Sequence, residues 1–258
     1  MKNLMAMAAL VLALAAGAAA AVKTEVVEYK LGDTTLEGYL AYDDAKTGAR
    51  PGVMIVHQWR GLTENEKMRA RMLAELGYVA LAVDVYGKGV RPATNAEAAK
   101  EAGKYYADAK LLRDRLQAGL QTLLANKLVD PKRVAAIGYC FGGFAALELA
   151  RSGAPLAGVV SFHGGLQASN PADAANIKGK VLVCHGAEDP NVPMADVQAF
   201  MEEMKAANVD YQFIAYSGAV HSFTQKEAGD DKTKGAAYNA NADRRSWQAM
   251  KDFFAEIF

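Results

Sequence analysis

The motif G-Y-C-F-G-G at residues 138–143 carries the strongest chemical signal in the sequence. Cys140 lies directly after an apolar run, residues 134–137, and directly before a helical pattern. The G-x-C-x-G spacing is typical of a nucleophile elbow, a sharp strand-to-helix turn that holds the nucleophile in strained backbone geometry. Side chains in place of the flanking glycines would collide across the turn, and N–H groups at the helix start favour a thiolate and an oxyanion. We therefore predict that Cys140 is a nucleophile rather than a buried structural thiol.

The second cysteine, Cys184, lacks these surroundings. It follows the apolar run at 181–183 and precedes His185, with no glycine-flanked turn around it. A disulfide between the two cysteines would disable the nucleophile. We predict a buried structural thiol at Cys184 and no disulfide.

A nucleophilic thiol needs a base, and the base needs an orienting carboxylate. Where the nucleophile sits on an elbow, the chain order is nucleophile, acid, histidine. Asp189 and His221 follow two later strand patterns in that order, and the carboxyl ends of parallel strands are where such folds gather their ligands. We predict a triad of Cys140, Asp189 and His221, with Glu188 as the alternative acid.

Two other histidines also follow predicted strands. We interpret His185 as a structural neighbour of the acid, whereas His163 either lines the pocket or packs in the core. Together with His57 and His221, and with the two cysteines, they match no metal-ligand spacing. We predict no metal and no cofactor.

The elements that must position these residues follow from hydrophobic periodicity. Residues 22–30 and 34–40 alternate in polarity, which predicts an antiparallel hairpin. Continuous apolar runs predict strands buried on both faces at 53–56, 79–83, 134–137, 156–162 and 181–183, with a last strand at 211–216. Helical patterns lie at 64–76, 96–126 with a break at Gly103, 141–152, 193–207 and 242–258. This alternation predicts an α/β fold, a mostly parallel sheet flanked by helices, in one domain over residues 22–258.

The first 21 residues are interpreted as a signal peptide. Lys2 precedes an unbroken apolar run at 4–16, and small residues up to Ala21 supply an A-x-A cleavage site. The alternative is a membrane anchor, but no Lys/Arg stop follows the run. We expect a periplasmic or secreted protein with no membrane contact after cleavage.

Composition narrows the function classes. Apolar residues make up 52% of the 258 residues, which excludes intrinsic disorder. The formal net charge is zero and no basic stripe is present, so we expect no nucleic-acid partner. We expect a monomer or a weak homodimer.

Taken together, these motifs resemble the dienelactone hydrolase family of α/β-hydrolases from about Thr24 to Phe258. The specific parts are the elbow, the acid segment G-A-E-D at 186–189 and V-H-S-F at 220–223; L-G-Y-V-A-L-A-V-D-V-Y-G at 76–87 gives looser support. The resemblance implies an eight-stranded sheet and a Cys-Asp-His triad. It also implies hydrolysis of a small-molecule ester or lactone through a thioester, without a cofactor.

The resemblance also implies an oxyanion hole made by the backbone N–H groups of Phe141 and Trp59. The sequence departs from the family near this hole, because Gln58 stands where the name-giving enzymes carry Glu. Their carboxylate-binding arginine is replaced by Gln225, with Arg60 and Arg91 as candidate substitutes. These departures argue against dienelactone itself as the substrate.

Gln58 carries a further hypothesis. A neutral amide near Cys140 cannot take its proton and does not repel a thiolate, which predicts a standing thiolate–imidazolium pair with His221. The alternative is a packed loop residue that points elsewhere.

Two other functions stay open: a relative that binds a ligand without turnover, and an exported peptidase, although no propeller or large lid domain is visible to build a peptide cleft.

Overall fold

The computed structural model describes residues 22–258. One sheet of eight strands runs through this part of the chain in the order β1-β2-β4-β3-β5-β6-β7-β8. The strands are β1 Val22–Leu31, β2 Thr34–Asp43, β3 Arg50–Val56, β4 Val79–Val83, β5 Val129–Tyr139, β6 Gly158–Phe162, β7 Lys180–Gly186 and β8 Tyr211–Tyr216. β1 pairs with β2 and β2 with β4 in antiparallel register, and every other pair is parallel. The predicted mostly parallel sheet with its N-terminal hairpin is confirmed.

Six α-helices cover the two faces of the sheet within the described residues. They are α1 Glu64–Glu75, α2 Asn95–Ala107, α3 Ala109–Leu124, α4 Phe141–Arg151, α5 Met194–Ala206 and α6 Ala240–Ile257. One core cluster joins the sheet to α2, α3, α4 and α5, and a second joins its other face to α1 and α6. The central strands are buried on both sides, as their continuous apolar runs predict.

The helical segment predicted at 96–126 breaks at a different residue from the one expected. Gly103 lies inside α2, where an added Cβ would meet only open space, so it continues the helix. The break lies at Asp108, whose backbone leaves the helical region (φ −127°, ψ 87°) and whose carboxylate accepts the Leu111 N–H at 2.9 Å. The capping acid, not the glycine, divides the segment.

The predicted signal peptide lies outside the described residues. Within residues 22–258, no helix is both long and apolar enough to cross a bilayer.

Candidate active site

Cys140 stands between β5 and α4 with a backbone that non-glycine residues seldom adopt (φ 55°, ψ −117°). Three backbone hydrogen bonds hold it there: its N–H donates to the Phe162 carbonyl at 3.0 Å, and its carbonyl accepts the Gly143 N–H at 3.0 Å and the Phe144 N–H at 3.4 Å. The chain therefore turns from strand to helix at this one residue and presents Sγ at the carboxyl edge of the sheet.

Two glycines make this turn sterically feasible. A Cβ at Gly138 would lie 1.9 Å from the Gly142 carbonyl oxygen, and a Cβ at Gly142 would lie 2.2 Å from the Val56 carbonyl oxygen. Both distances are far below van der Waals contact, and both partners are backbone atoms that cannot rotate aside. The G-x-C-x-G pattern thus records how closely β3, β5 and α4 approach one another.

The structure brings Cys140, His221 and Asp189 into one hydrogen-bonded chain. His221 Nε2 lies 3.1 Å from Cys140 Sγ, and His221 Nδ1 lies 2.8 Å from Asp189 Oδ2. The Asn191 N–H donates to the other carboxylate oxygen of Asp189 at 2.8 Å, so that carboxylate is fixed at both ends. Its side chain is fully buried, and that of His221 is 11% exposed.

The loop that carries His221 is held by a second segment. The His221 N–H donates to the Gly235 carbonyl at 3.2 Å, and the Ala237 N–H donates to the His221 carbonyl at 3.0 Å. Ser222, the next residue, also has a positive φ of 58°. The position of the imidazole is therefore set by hydrogen bonds to both the N–H and the carbonyl of His221.

Charge favours a protonated imidazole at this position. Burial by itself lowers the pKa of His221, but the neighbouring Cys140 sulfur and the hydrogen bond with Asp189 outweigh it and raise that pKa to about 10. These two neighbours therefore favour the protonated form of His221. An imidazolium held between a carboxylate and a sulfur can donate that proton to a leaving group.

Of the two residues predicted to form the oxyanion hole, Phe141 follows Cys140 in the chain and Trp59 lines the same cavity as Cys140. Phe141 is the first residue of α4, where helix N–H groups have no partner within the helix. Trp59 lies in the loop after β3 and lines the cavity that Cys140 lines. Neither backbone N–H donates a hydrogen bond to another described residue.

Two adjoining cavities open at this edge. The smaller, of about 440 Å³, contains Cys140 and His221; its other lining residues are uncharged, namely Trp59, Asn95, Tyr106, Gly165, Gln167, Asn191, Val192, Ser222 and Ala236. The larger, of about 590 Å³, shares four of these residues and adds charged ones: Arg60, Glu64, Glu227 and Lys234. A substrate at the sulfur would therefore meet neutral walls first.

Gln58 lines the larger cavity rather than the one around Cys140. Its amide lies 3.5 Å from Glu66 Oε1, and no hydrogen bond joins it to Cys140 among the described residues. Glu66 is fully buried and caps α1 by accepting the Thr63 N–H at 2.9 Å. No role was predicted for Glu66, although the sequence contains the T-x-x-E capping box at 63–66.

The two candidate arginines differ in position. The Arg60 guanidinium lines the larger cavity and donates to the Ala93 carbonyl at 2.6 Å and to Asn95 Oδ1 at 2.5 Å. Arg91 lines neither of these two cavities: its Nε–H donates to the Leu62 carbonyl at 2.6 Å, and its guanidinium lies 3.6 Å from the buried carboxylate of Asp84. Gln225 lines the larger cavity.

The other residues considered for the site are hydrogen-bonded or packed away from the Cys140–His221–Asp189 chain. Glu188 is half-exposed and accepts the Gly218 N–H at 3.0 Å, whereas its neighbour Asp189 contacts the imidazole. His163 is fully buried with Nε2 2.8 Å from Thr224 Oγ1, and burial holds its pKa well below the usual value. His185 is buried against Phe213. Burial raises the pKa of Cys184 to about 12.

Several residues that line the cavity at Cys140 were not predicted from the sequence, and Tyr106 is the aromatic one among them. Tyr106 on α2 lines the cavity at Cys140, and its ring meets the ring of Phe141 edge-on at 5.5 Å. An aromatic residue in a helical pattern gives no signal for such a role.

Among residues 22–258, no group of three or more His, Cys, Asp or Glu side chains is placed to hold a metal ion.

Comparison with known proteins identifies the family. The model of the dienelactone hydrolase family matches residues 36–258. A Synechocystis protein named "Putative carboxymethylenebutenolidase" is 27% identical over 90% of this chain and 96% of its own length. The crystal structure of the dienelactone hydrolase-like promiscuous phosphotriesterase P91 from metagenomic libraries is 44% identical, covers 92% of this chain and 99% of its own, and superposes with a TM-score of 0.88. The chain belongs to the dienelactone hydrolase family of ester- and lactone-cleaving hydrolases.

Proposed function

We propose that the protein hydrolyses a neutral carboxylic ester or lactone through a Cys140–His221–Asp189 triad and a thioester intermediate. One observation carries this proposal: His221 contacts both Cys140 Sγ, at 3.1 Å, and Asp189, at 2.8 Å. The strained backbone of Cys140 at the start of α4 supports the same role, because such strain concentrates at functional residues.

The reaction begins with a thiolate–imidazolium pair. Cys140 Sγ attacks the ester carbonyl carbon, a C–S bond forms, and the N–H groups of Phe141 and Trp59 hold the oxyanion. As the intermediate collapses, the C–O bond to the alcohol breaks, and the leaving oxygen takes the proton from His221 Nε2. The products of this half-reaction are the free alcohol and a thioester on Cys140.

Hydrolysis then restores the enzyme. Neutral His221 takes a proton from water, and the hydroxide attacks the thioester carbonyl carbon. Collapse breaks the C–S bond and releases the carboxylic acid with the Cys140 thiolate and the His221 imidazolium in place. Asp189 keeps the imidazole oriented throughout both half-reactions.

The substrate is expected to be uncharged near the scissile bond. The cavity at Cys140 has no charged lining residue apart from the triad. In the larger cavity Lys234 lies 3.5 Å from Asp231, and the Arg60 guanidinium already donates to Asn95 Oδ1 and the Ala93 carbonyl, so a substrate carboxylate would have to compete with acceptors of the protein itself. A carboxylate-bearing lactone should therefore react more slowly than a neutral one of equal size.

A substrate panel tests this proposal. We expect wild type to cleave p-nitrophenyl acetate and a neutral aryl lactone, to cleave a carboxylate-bearing lactone less well, and to leave a peptide p-nitroanilide intact. A phosphotriester belongs in the panel because of the activity named for P91. Absence of turnover with every ester and lactone would favour a ligand-binding protein, and preferential anilide cleavage would favour a peptidase.

We also propose that residues 1–21 are a cleavable export signal. Lys2, the apolar run and the A-x-A site support it. The mature protein isolated from the periplasm or medium of a Gram-negative host should begin at or near Val22. A cytoplasmic protein with its N-terminus intact would contradict this proposal.

A further inference from the structure

His57 follows β3 directly and is fully buried, yet both of its ring nitrogens have partners. The Val85 N–H donates to Nε2 at 3.1 Å, and Nδ1 lies 2.6 Å from the carbonyl oxygen of Gln58. Since Nε2 accepts, the proton must reside on Nδ1, which donates to that carbonyl. Burial lowers the pKa of His57, so the ring stays neutral and in this one tautomer.

The carbonyl that His57 holds belongs to a catalytically placed peptide. The Gln58 C=O and the Trp59 N–H are the two polar groups of one planar peptide unit, and they point in opposite directions. The Gly61 N–H also donates to the Gln58 carbonyl at 3.1 Å. Fixing this carbonyl on the His57 side therefore fixes the Trp59 N–H on the other side.

The surroundings of the ring support the same geometry. His57 is close to both residues of the proposed oxyanion hole: it precedes Trp59 by two positions in the chain and stacks on the Phe141 ring at 5.9 Å. The Tyr86 hydroxyl donates to the Trp59 carbonyl at 3.0 Å and so fixes the next peptide.

The loop that binds His57 Nε2 is itself rigid. The buried carboxylate of Asp84 accepts the N–H groups of Tyr86 and Gly87, each at 3.1 Å. Val85 is thereby held between two fixed neighbours, and its N–H presents a fixed donor to the imidazole. The D-V-Y-G segment at 84–87 thus connects to the active site through His57.

We propose that His57 is the positioning residue of the oxyanion hole: its Nδ1–H locks the Gln58–Trp59 peptide with the Trp59 N–H toward the carbonyl bound at Cys140. This inference rests on the proposed ester hydrolysis. Without the Nδ1 donor the peptide can rotate, and a rotated peptide presents a carbonyl oxygen to the developing oxyanion instead of an N–H. The loss falls on the transition state, so kcat drops while KM changes little.

Three substitutions of His57 distinguish the role of the Nδ1 donor from that of the Nε2 acceptor. His57→Phe keeps a ring of similar size and removes both polar atoms. His57→Asn places an N–H donor close to the Nδ1 position. His57→Gln instead places an acceptor close to the Nε2 position and leaves the Gln58 carbonyl without a donor from residue 57. Because removing an oxyanion donor costs about 10²–10³ in kcat, we expect about a 10- to 100-fold fall in kcat for His57→Phe and for His57→Gln. His57→Asn should recover at least about fivefold of that loss.

Alkylation by iodoacetamide distinguishes positioning from general damage. Displacement of iodide at a saturated carbon needs the Cys140 thiolate but creates no oxyanion. The alkylation rate of Cys140 should therefore stay within about threefold of wild type in all three variants, while ester hydrolysis falls. A parallel fall in both rates, or an unchanged kcat in His57→Phe, would overturn the inference.

Two further outcomes remain decisive. If His57→Phe does not fold, equal kcat values for His57→Asn and His57→Gln would overturn the inference, and a more active Asn variant would support it. If wild type forms no thioester with any ester, the proposed function fails first, and that result is read before any His57 variant is compared.

Discussion

Cys140 and Cys184 lie near the carboxyl ends of two parallel strands of the same sheet, β5 and β7, but their surroundings differ in every respect that governs thiol chemistry. Cys140 has a positive φ, starts a helix and lies 3.1 Å from an imidazole nitrogen. Cys184 has strand geometry and no exposed surface. Its sulfur accepts a hydrogen bond from the Tyr216 hydroxyl at 3.7 Å, and burial raises its pKa to about 12.

This comparison indicates that position on the strand decides the role of the thiol. Ending a parallel strand brings a residue to the edge where ligands bind, but a thiol one or two residues inside the strand stays in the core. The turn at Cys140 lifts the sulfur out of the pleat and points it at His221. The following predictions break or sharpen the difference between the two thiols.

Matched serine substitutions should have the largest and most unequal effects. Cys140→Ser should lower kcat by at least about 10³-fold, because a hydroxyl is a far poorer nucleophile under the same base. Cys184→Ser should stay within about threefold of wild-type kcat. Its free energy of unfolding should fall by about 1 kcal/mol. Steady-state kinetics and thermal unfolding measure both. Comparable losses of activity would contradict the assigned roles.

Removing the partners of Cys140 should have the next largest effect. His221→Ala and Asp189→Asn should each lower kcat by about 10²–10⁴-fold, as loss of a base or its orienting acid does. Glu188→Gln is the matched control, since the half-exposed Glu188 carboxylate accepts hydrogen bonds from the Gly218 N–H and the Lys232 ammonium rather than from the imidazole. It should stay within about twofold. A costlier change at Glu188 would mean that the acid is misassigned.

The pH profile should show the charge of His221. With its pKa at about 10, His221 keeps the proton that the leaving group needs until the pH rises through that value, so kcat/KM should fall only near pH 10. Asp189→Asn removes one group that raises this pKa and should move the alkaline limb to lower pH. A wild-type limb near pH 7, or a limb that Asp189→Asn leaves in place, would contradict this reading.

The smallest expected effect belongs to Gln58→Glu. The new carboxylate would lie near the buried carboxylate of Glu66, and like charges at that distance disfavour ionisation. A folded-state pKa raised in this way costs stability only above the unfolded value, so the loss, about 1–2 kcal/mol, should grow as pH rises from 4 to 8. Gln225→Glu, in the same cavity, is the control. Equal losses in both variants would contradict the contact with Glu66.

The elements could be predicted from local patterns, and so could the three residues that the structure joins in the Cys140–His221–Asp189 hydrogen-bonded chain. Strand runs and the glycine-flanked cysteine are visible within a few neighbouring residues, and the acid and the histidine follow from their order along the chain after two later strand patterns. The break predicted at Gly103 was wrong because a capping acid can end a helix as a glycine can. The sequence does not show which of the two ends it, and the backbone leaves the helical region at Asp108.

The remaining site features depend on contacts between distant segments. Tyr106 reaches the Cys140 cavity from a helix 34 positions earlier in the chain, and Gln58 meets Glu66 through the fold of the loop between β3 and α1. His57 was considered in the sequence only as a metal ligand, because its partners, the Val85 N–H and the Gln58 carbonyl, are backbone groups that no motif encodes.

The most direct test of the account is the location of the acyl group during turnover. Wild-type protein mixed with p-nitrophenyl acetate and quenched in acid within milliseconds should gain one acetyl group by intact mass spectrometry, and peptide mapping should place it on Cys140. Hydroxylamine should release it, as it releases a thioester. Acetyl found on another residue, or none found while p-nitrophenol is produced, would contradict the claim that Cys140 is the nucleophile.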